Sequence, residues 1–177
     1  MNFLQRRQGL LDAVVFSGGE PTLHGGLKQA VTAVRELGFK VGLHTNGAYP
    51  SHLDKLLPQL SWVGMDIKSE FSDYEKVTGI PSSGEKVRES AMLLLASGVP
   101  YEFRTTVHPA YHTTTSLLKM AQELQQLGAQ HYMLQEFRPQ GCADARLTTN
   151  CSNQDLLNDS LLKRIGAMFK SFSVRHA

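Results

Sequence analysis

Short apolar runs alternate with stretches of helical spacing along the chain, and this alternation limits the folds available to it. Five runs rich in β-branched or aromatic residues recur every ~20 to 40 residues and are read as strands: Ala13–Phe16, 41–43, 62–67, Tyr101–Val107 and 132–137. Apolar residues with a helical period lie between them, for example around Val31, Ala91 and Ala121. The pattern predicts an α/β fold in which helices pack outside parallel strands through right-handed crossovers.

Glycines mark the predicted helix ends. Gly38, Gly98 and Gly128 each follow the last apolar helical position and precede a strand, as left-handed caps do. Residues 1–11 resemble the end of a helix, residues 156–169 form a helical stripe, and 172–174 are a candidate final strand. Five strands are too few for a closed eight-stranded barrel of ~250 residues. We therefore expect one domain over residues 1–177, with an open doubly wound sheet or a barrel other than the closed eight-stranded one.

Composition excludes several partners. The formal net charge is +2, and the Lys and Arg residues are scattered, so no nucleic-acid or membrane footprint is present. No apolar run approaches the roughly 18 residues of a membrane span, and the opening residues lack a signal-peptide pattern. Cys142 and Cys151 lie nine residues apart, without metal-site spacing, and are expected to stay reduced. These features favour a cytoplasmic protein.

Chemistry-bearing residues follow the predicted strands, and parallel α/β proteins bind ligands at the carboxyl ends of strands. After the first strand, Gly18 and Gly19 remove side chains, so that backbone groups can approach a ligand, and Glu20 adds a carboxylate. Carbonyls and a carboxylate suit an ammonium group better than a phosphate. A plain turn with a helix cap explains the same residues.

Charged residues near the third and fourth strands also need a reason, because such strands are usually apolar. Asp66 and Lys68 lie near the end of the third predicted strand, and Arg104 is placed near the end of the fourth. Asp66 could form a structural ion pair with one of the two cations, because buried charges require partners. Alternatively, the cations could share a carboxylate or phosphate ligand. Both interpretations stay open.

Asn46 follows the second strand, and its amide can donate and accept hydrogen bonds, which suits vicinal ribose hydroxyls. An ordinary Asn-Gly turn accounts for it equally well. The histidines lack metal-ligand spacing, and solvated or core roles are favoured for all seven.

Taken in order, five strand-end segments resemble one family: VVFSGGEPTL, VGLHTNG, WVGMDIKSEF, FRTTVHP and LQEFRPQGC. The family is that of the radical S-adenosylmethionine activating proteins of glycyl-radical enzymes, above all the branch that activates anaerobic ribonucleoside-triphosphate reductase. The resemblance covers nearly the entire chain. It implies a partial (β/α)6 barrel, of which this chain supplies the second to sixth βα units and, in residues 1–11, the end of the first helix.

The resemblance also implies a cofactor site. Gly18, Gly19 and Glu20 would hold the methionine amino group, and Asn46 would lie near the nucleoside. Lys68 and Arg104 would face the methionine carboxylate or its surroundings, and Asp66 would orient them or a bound cation. Family members reduce S-adenosylmethionine through a [4Fe-4S] cluster and generate a glycyl radical on the partner enzyme. A reductant protein such as flavodoxin or ferredoxin would supply the electron.

One family feature is absent. The cluster is held by a CxxxCxxC motif after the first strand, and the 177 residues contain no such motif. Cys142 and Cys151 follow the last barrel strand and cannot replace it, because cluster ligation takes closely grouped cysteines. We expect the chain to lack the first strand and cluster loop of a longer, active parent. The alternatives are an activase of the formate-lyase type, a catalytically dead S-adenosylmethionine-binding or partner-docking module, and a scaffold for a sugar-phosphate or nucleotide.

Overall fold

The computed structural model describes residues 2–140, 145–148 and 156–176. In these residues the strands form one six-stranded sheet in chain order, β1 to β6. Their bounds are Ala13–Phe16 (β1), Lys40–Thr45 (β2), Trp62–Asp66 (β3), Tyr101–Val107 (β4), His131–Glu136 (β5) and Ser171–Arg175 (β6). The β1–β2, β2–β3, β4–β5 and β5–β6 ladders are parallel. The predicted α/β class with a parallel sheet is confirmed.

Helices connect the strands. Their bounds are Asn2–Gln5 (α1), Leu27–Glu36 (α2), Pro50–Leu56 (α3), Tyr74–Thr78 (α4), Ser83–Ser97 (α5), Thr114–Gln126 (α6), Ala145–Thr148 (α7) and Asp159–Gly166 (α8). Short 3-10 turns occur at Pro21–Leu23, Leu57–Gln59 and Phe71–Asp73. No helix in the described part of the chain is both long and apolar enough to span a membrane.

The predicted strands are confirmed, including the final one, which is β6. The three glycine caps are confirmed too, because Gly38, Gly98 and Gly128 have φ of 87°, 71° and 91°. The helical stripe at 156–169 is shorter than expected: Asn158 accepts a hydrogen bond from the Leu161 amide and starts α8 at residue 159. At the other end, α1 ends at Gln5 and turns follow it.

Three helices are absent from the sequence interpretation. The helices α3, α4 and α7 have seven, five and four residues, too few for a helical period to stand out. Pro50 begins α3 because proline fits the first turn of a helix, where its missing N–H is not needed. Gly79, in the left-handed conformation, ends α4.

By contacts the chain divides into two compact units. The first comprises Met1–Met65 and Lys86–Tyr101, and the second Asp66–Glu85 and Glu102–Ala177. In the first unit, Val41 and Leu43 of β2 and Val63 of β3 are fully buried, as are Val31 and Leu53 from the helices. Burying one such side chain contributes about 1.5–3 kcal/mol. This core fixes β2 and β3.

The second unit has its own core. Phe103 of β4 and Leu134 of β5 are fully buried, together with Leu117 and Leu124 on one face of α6 and Ile165 of α8. Thr113 starts α6 with a capping box: its side chain accepts from the Ser116 amide, and the Ser116 hydroxyl accepts from the Thr113 amide. The capping box fixes the loop between β4 and α6. One domain over the whole chain stays a prediction.

Candidate functional site

The predicted strand-end residues occur in both units. Gly18, Gly19 and Glu20 follow β1 and Asn46 follows β2, in the first unit, whereas Asp66, Lys68 and Arg104 belong to the second. One position differs from the expectation. Arg104 lies within β4, opposite Met133 of β5, and the strand ends only at Val107.

The loop after β1 presents bare backbone. Gly18 and Gly19 have φ of 92° and 55°, a conformation that favours glycine at two successive positions. A Cβ built on either residue would meet no atom within 4 Å, so open space adjoins the backbone. A cavity of about 290 Å³ opens beside the loop and is lined in part by Ser17, Gly18 and His24. A ligand can approach the main chain here without a steric obstacle.

Glu20 is the hub of a hydrogen-bond network in the first unit. One carboxylate oxygen, Oε1, accepts from the Thr22 amide at 3.1 Å, from the Thr22 hydroxyl and from the Thr45 hydroxyl at 2.8 Å. The other, Oε2, accepts from the Asn46 amide at 2.6 Å. The helix-cap interpretation of Glu20 is therefore confirmed, because it caps the 3-10 turn at Pro21–Leu23. A carboxylate oxygen can accept more than one hydrogen bond, so Oε2, which accepts from the Asn46 amide, has capacity for another donor.

Asn46 forms a local turn as well as this contact. Its Oδ1 accepts from the Ala48 amide at 2.9 Å, and Gly47 follows with φ of 72°. Half-buried, Asn46 keeps its two side-chain N–H groups as potential donors. The ordinary-turn interpretation is confirmed, and it leaves donors for a ligand.

In the second unit, Arg104 and Asp66 form an ion pair. The guanidinium Nη2 and Nε lie 2.9 and 3.0 Å from Asp66 Oδ1. The side chain of Arg104 is 8% exposed, whereas that of Asp66 is 41% exposed. A guanidinium removed from water in this way needs a charged partner. The structural ion-pair interpretation is confirmed for Arg104. The side chain of Asp66 remains partly exposed to solvent.

Lys68 differs from Arg104. It lies two residues beyond β3 with an exposed side chain, and no carboxylate within the described ranges lies within 4 Å of its ammonium group. Its backbone, in contrast, is tightly held: the amide donates to Tyr74 Oη at 2.8 Å and the carbonyl accepts from His112 Nε2 at 3.1 Å. The side-chain ammonium of Lys68 is therefore solvated, while the backbone of the same residue is held in place.

Sequence reasoning missed the residues that hold this turn. Tyr74, Thr105 and His112 are buried, and Thr105 Oγ1 donates to the Ile67 carbonyl at 2.8 Å. Burial raises the pKa of Tyr74 and lowers the pKa of His112, so both side chains are neutral near pH 7. In the sequence, these three residues are recognisable only as polar residues among apolar ones. That signal does not indicate which backbone group each of them contacts.

The histidines His108 and His112 have core roles, as expected. The His108 ring accepts from the Ala110 amide through Nδ1 at 3.0 Å, and Nε2 lies 2.8 Å from the Leu147 carbonyl. Phe137 packs edge-on against this ring, with ring centroids 4.8 Å apart. At the end of β5 and just past it, Glu136 and Arg138 both contact His176. These residues of the fifth strand-end segment therefore make contacts within the second unit.

The residues fit one expected group and not the other. Within the first unit, the open backbone at Gly18 and Gly19 and a carboxylate oxygen of Glu20 could accept hydrogen bonds from an amino group. Within the second unit, the exposed ammonium of Lys68 could bind a carboxylate. An iron-sulfur cluster finds no such match. Across residues 2–140, 145–148 and 156–176, no group of three or more His, Cys, Asp or Glu side chains could hold a metal ion. Cys142 and Cys151 lie outside the described residues.

The fold and these loops define an α/β protein with polar side chains and open backbone at the carboxyl ends of parallel strands. The particular family follows from sequence comparison: the model of the Radical SAM superfamily matches residues 3–131, and the chain belongs to this superfamily. S-adenosylmethionine and a [4Fe-4S] cluster are the cofactors that this family implies. The expected radical S-adenosylmethionine fold is confirmed.

Individual proteins show the same relationship. A protein of Methanocaldococcus jannaschii, provisionally named as a glycyl-radical enzyme activating enzyme, is 29% identical over 143 residues, which cover 75% of this chain. The chain spans 58% of that relative's length. A domain of the pyruvate-formate lyase-activating enzyme from Bacteroides vulgatus has a similar fold, with a TM-score of 0.65, 17% identity and coverage of 92% of this chain and 99% of the domain.

A further fold relative is SuiB of Streptococcus suis. In its structure with bound S-adenosylmethionine, it aligns with 99% of this chain and 42% of its own, with a TM-score of 0.69 and 14% identity. At such identities the two solved structures establish the fold alone.

Proposed function

We propose that the full-length protein activates anaerobic ribonucleoside-triphosphate reductase by cleaving S-adenosylmethionine reductively and generating a glycyl radical on that enzyme. Membership of the Radical SAM superfamily and similarity to the M. jannaschii relative support the activase class. The order and spacing of the strand-end motifs support the reductase branch. A reductant protein such as flavodoxin or ferredoxin would deliver the electron, in the cytoplasm.

The observation that carries the cofactor assignment is the loop at Gly18 and Gly19, which is bare and open immediately before a carboxylate. In the proposal, the backbone of this loop and Glu20 Oε2 accept hydrogen bonds from the methionine ammonium. The Asn46 amide would donate to a ribose hydroxyl. Each of these groups offers the hydrogen-bonding sense that its target requires.

The second unit would receive the carboxylate. Lys68 supplies an exposed ammonium, and the ion pair with Asp66 keeps Arg104 folded inward. We therefore assign the direct contact to Lys68 and the surrounding support to Arg104 and Asp66. The role of these residues is to orient the cofactor, because the difficult chemistry of the reaction belongs to the cofactor itself.

Calorimetry tests the cofactor assignment. S-adenosylmethionine should bind the chain, and Lys68→Ala should weaken binding by about 1.5–3 kcal/mol, the range for charged hydrogen bonds. Decarboxylated S-adenosylmethionine is the matched ligand: it should bind Lys68→Ala as well as it binds the unchanged chain. Equal losses for both ligands would contradict the carboxylate contact. No binding of S-adenosylmethionine would overturn the whole assignment.

A second assignment is a catalytically inactive module that binds S-adenosylmethionine or docks a partner. It is favoured by the missing CxxxCxxC motif, and we propose that these 177 residues alone do not cleave S-adenosylmethionine. After anaerobic incubation with iron and sulfide, the chain should stay colourless. Titration with purified anaerobic ribonucleotide reductase and with pyruvate formate-lyase then separates the partners. Tighter binding to the lyase would favour the formate-lyase type of activase.

A further inference from the structure

The turn from Asp66 to Lys68 is held by side chains from three different elements of the second unit. Tyr74 Oη, from α4, accepts from the Lys68 amide at 2.8 Å and donates to the Asp66 carbonyl at 3.4 Å. Thr105, in β4, donates to the Ile67 carbonyl. His112, in the loop before α6, lies 3.1 Å from the Lys68 carbonyl. Both backbone polar groups of Lys68 are therefore bonded to buried side chains.

The direction of the His112 contact follows from the chemistry of the atoms. A carbonyl can only accept, so Nε2 carries the ring proton. The other nitrogen, Nδ1, lies 3.1 Å from the His108 amide nitrogen and 3.2 Å from the His108 carbonyl oxygen. In the neutral ring with Nε2 protonated, Nδ1 accepts from the amide. The next residue, Thr113, starts the capping box of α6, which fixes the loop that carries His112.

Tyr74 and His112 differ from Lys68 in their exposure to solvent. Tyr74 and His112 are 2% and 5% exposed, whereas the side chain of Lys68 is open to solvent. A merely surface-exposed turn could leave its backbone groups to water. Here two buried polar side chains are committed to the backbone of one exposed lysine. Fixing the backbone that carries a flexible cation lowers part of the ordering cost when that cation binds an anion.

We propose that Tyr74 and His112 are positioning residues, which clamp the backbone of Lys68 from both sides and so direct its ammonium group toward the carboxylate of S-adenosylmethionine. This inference rests on the proposed function. Neither side chain contacts the ligand in this arrangement. Both act through Lys68, so their effect on binding should disappear when Lys68 is removed.

The chain offers a matched pair of tyrosines for the test. Tyr132 is as buried as Tyr74, and its hydroxyl donates to Thr105 Oγ1 at 2.8 Å without touching the Lys68 backbone. Tyr74→Phe and Tyr132→Phe each delete one buried hydroxyl, but only Tyr74→Phe frees Lys68. Amide hydrogen exchange, resolved by NMR, should accelerate about tenfold at Lys68 in Tyr74→Phe and stay unchanged in Tyr132→Phe. Unchanged exchange in both variants would overturn the clamp.

Calorimetry with S-adenosylmethionine tests the consequence. Tyr74→Phe should weaken binding about five- to tenfold and Tyr132→Phe less than twofold, within the range that one hydrogen bond supplies. In a Lys68→Ala background, Tyr74→Phe should have no further effect, which a double-mutant cycle measures. Equal losses in the two tyrosine variants, or a loss that persists without Lys68, would show a structural role only.

His112 gives an independent variant. His112→Gln keeps an N–H that can reach the Lys68 carbonyl and should preserve affinity, whereas His112→Leu should lose it as Tyr74→Phe does. Equal affinities for the two variants would contradict the role of His112. If the unchanged chain bound no S-adenosylmethionine, the proposed function would fail, and the exchange measurement would still decide whether the clamp exists.

Discussion

Two guanidinium nitrogens of Arg104 contact the same carboxylate oxygen of Asp66: Nε and Nη2 lie 3.0 and 2.9 Å from Oδ1. The guanidinium comes from the middle of β4 and the carboxylate from the end of β3. The buried charge of Arg104, which would be unfavourable in a strand without a partner, is thereby neutralised by Asp66. The pair also keeps Arg104 turned away from the solvent to which Lys68 is exposed.

Replacing Asp66 by Asn should destabilise the chain because Arg104 loses a charged partner. We expect a loss of about 1–2 kcal/mol, near the low end for charged hydrogen bonds because Asp66 is partly exposed. Urea unfolding measures it. Asp73→Asn is the control: Asp73 pairs with Lys76 at 2.9 Å on the surface and should change stability by less than about 0.5 kcal/mol. Equal effects would show that burial of Arg104 does not matter.

Glu20→Gln should loosen the loop network of the first unit. The new amide nitrogen would face N–H and O–H groups that donate to the carboxylate, so at least one donor loses its acceptor. We expect a loss of about 1–3 kcal/mol in thermal unfolding. Glu36→Gln, an exposed change in the same unit, should be nearly neutral. If Glu20 also binds the methionine ammonium, its variant should weaken S-adenosylmethionine binding even where it is fully folded.

Gly47 should not tolerate alanine. Its φ of 72° strains any other residue, and a Cβ would collide with the end of the Met65 side chain and lie 3.3 Å from Ser90 Cβ. We expect a loss of at least about 2 kcal/mol from backbone strain and overpacking together. Gly79→Ala, with φ of 68° and open space around the Cβ, isolates the strain at about 1 kcal/mol. Denaturant midpoints of the two variants give the difference.

His112 should make stability depend on pH. Burial, the largest effect, lowers its pKa below the ordinary value of 6.5, so the unfolded chain binds this proton more readily than the folded one. The free energy of unfolding should therefore fall as pH drops from about 7.5 to 5.5, by at most about 1.4 kcal/mol per pH unit.

Urea unfolding at several pH values checks this slope. His112→Gln should flatten it, and His24→Gln, which replaces an exposed histidine, should leave it unchanged. A slope that survives His112→Gln would assign the proton to another group. Unlike the affinity measurements, this test needs no ligand.

Much of the fold could be read from the sequence because its signals are local. Runs of β-branched and aromatic residues such as Tyr101–Val107 bury side chains within a strand, and glycines such as Gly38 end helices through their own φ. The short helices α3 and α4 were not predicted, because a helix of fewer than two turns shows little periodicity in its sequence. The missing CxxxCxxC motif is likewise a property of the sequence.

The candidate site was only partly readable. Sequence alone placed Gly18, Glu20 and Lys68 near strand ends and left open whether Asp66 pairs with Lys68 or Arg104. Either cation could pair with Asp66 as far as the sequence shows, because the sequence does not give the distances between these side chains. The tertiary structure shows that Asp66 pairs with Arg104. It also shows that the Thr45 hydroxyl and the Asn46 amide donate to the Glu20 carboxylate.

The sequence by itself determined the order of strands and helices, the glycine caps and the chemical types at the strand ends, because these depend on neighbours within a few residues. Only the tertiary structure decided which polar groups meet. Tyr74 and His112 lie 6 and 44 residues from Lys68, yet both bond its backbone. Packing sets such contacts, because a buried polar group must find a partner wherever the chain happens to bring one.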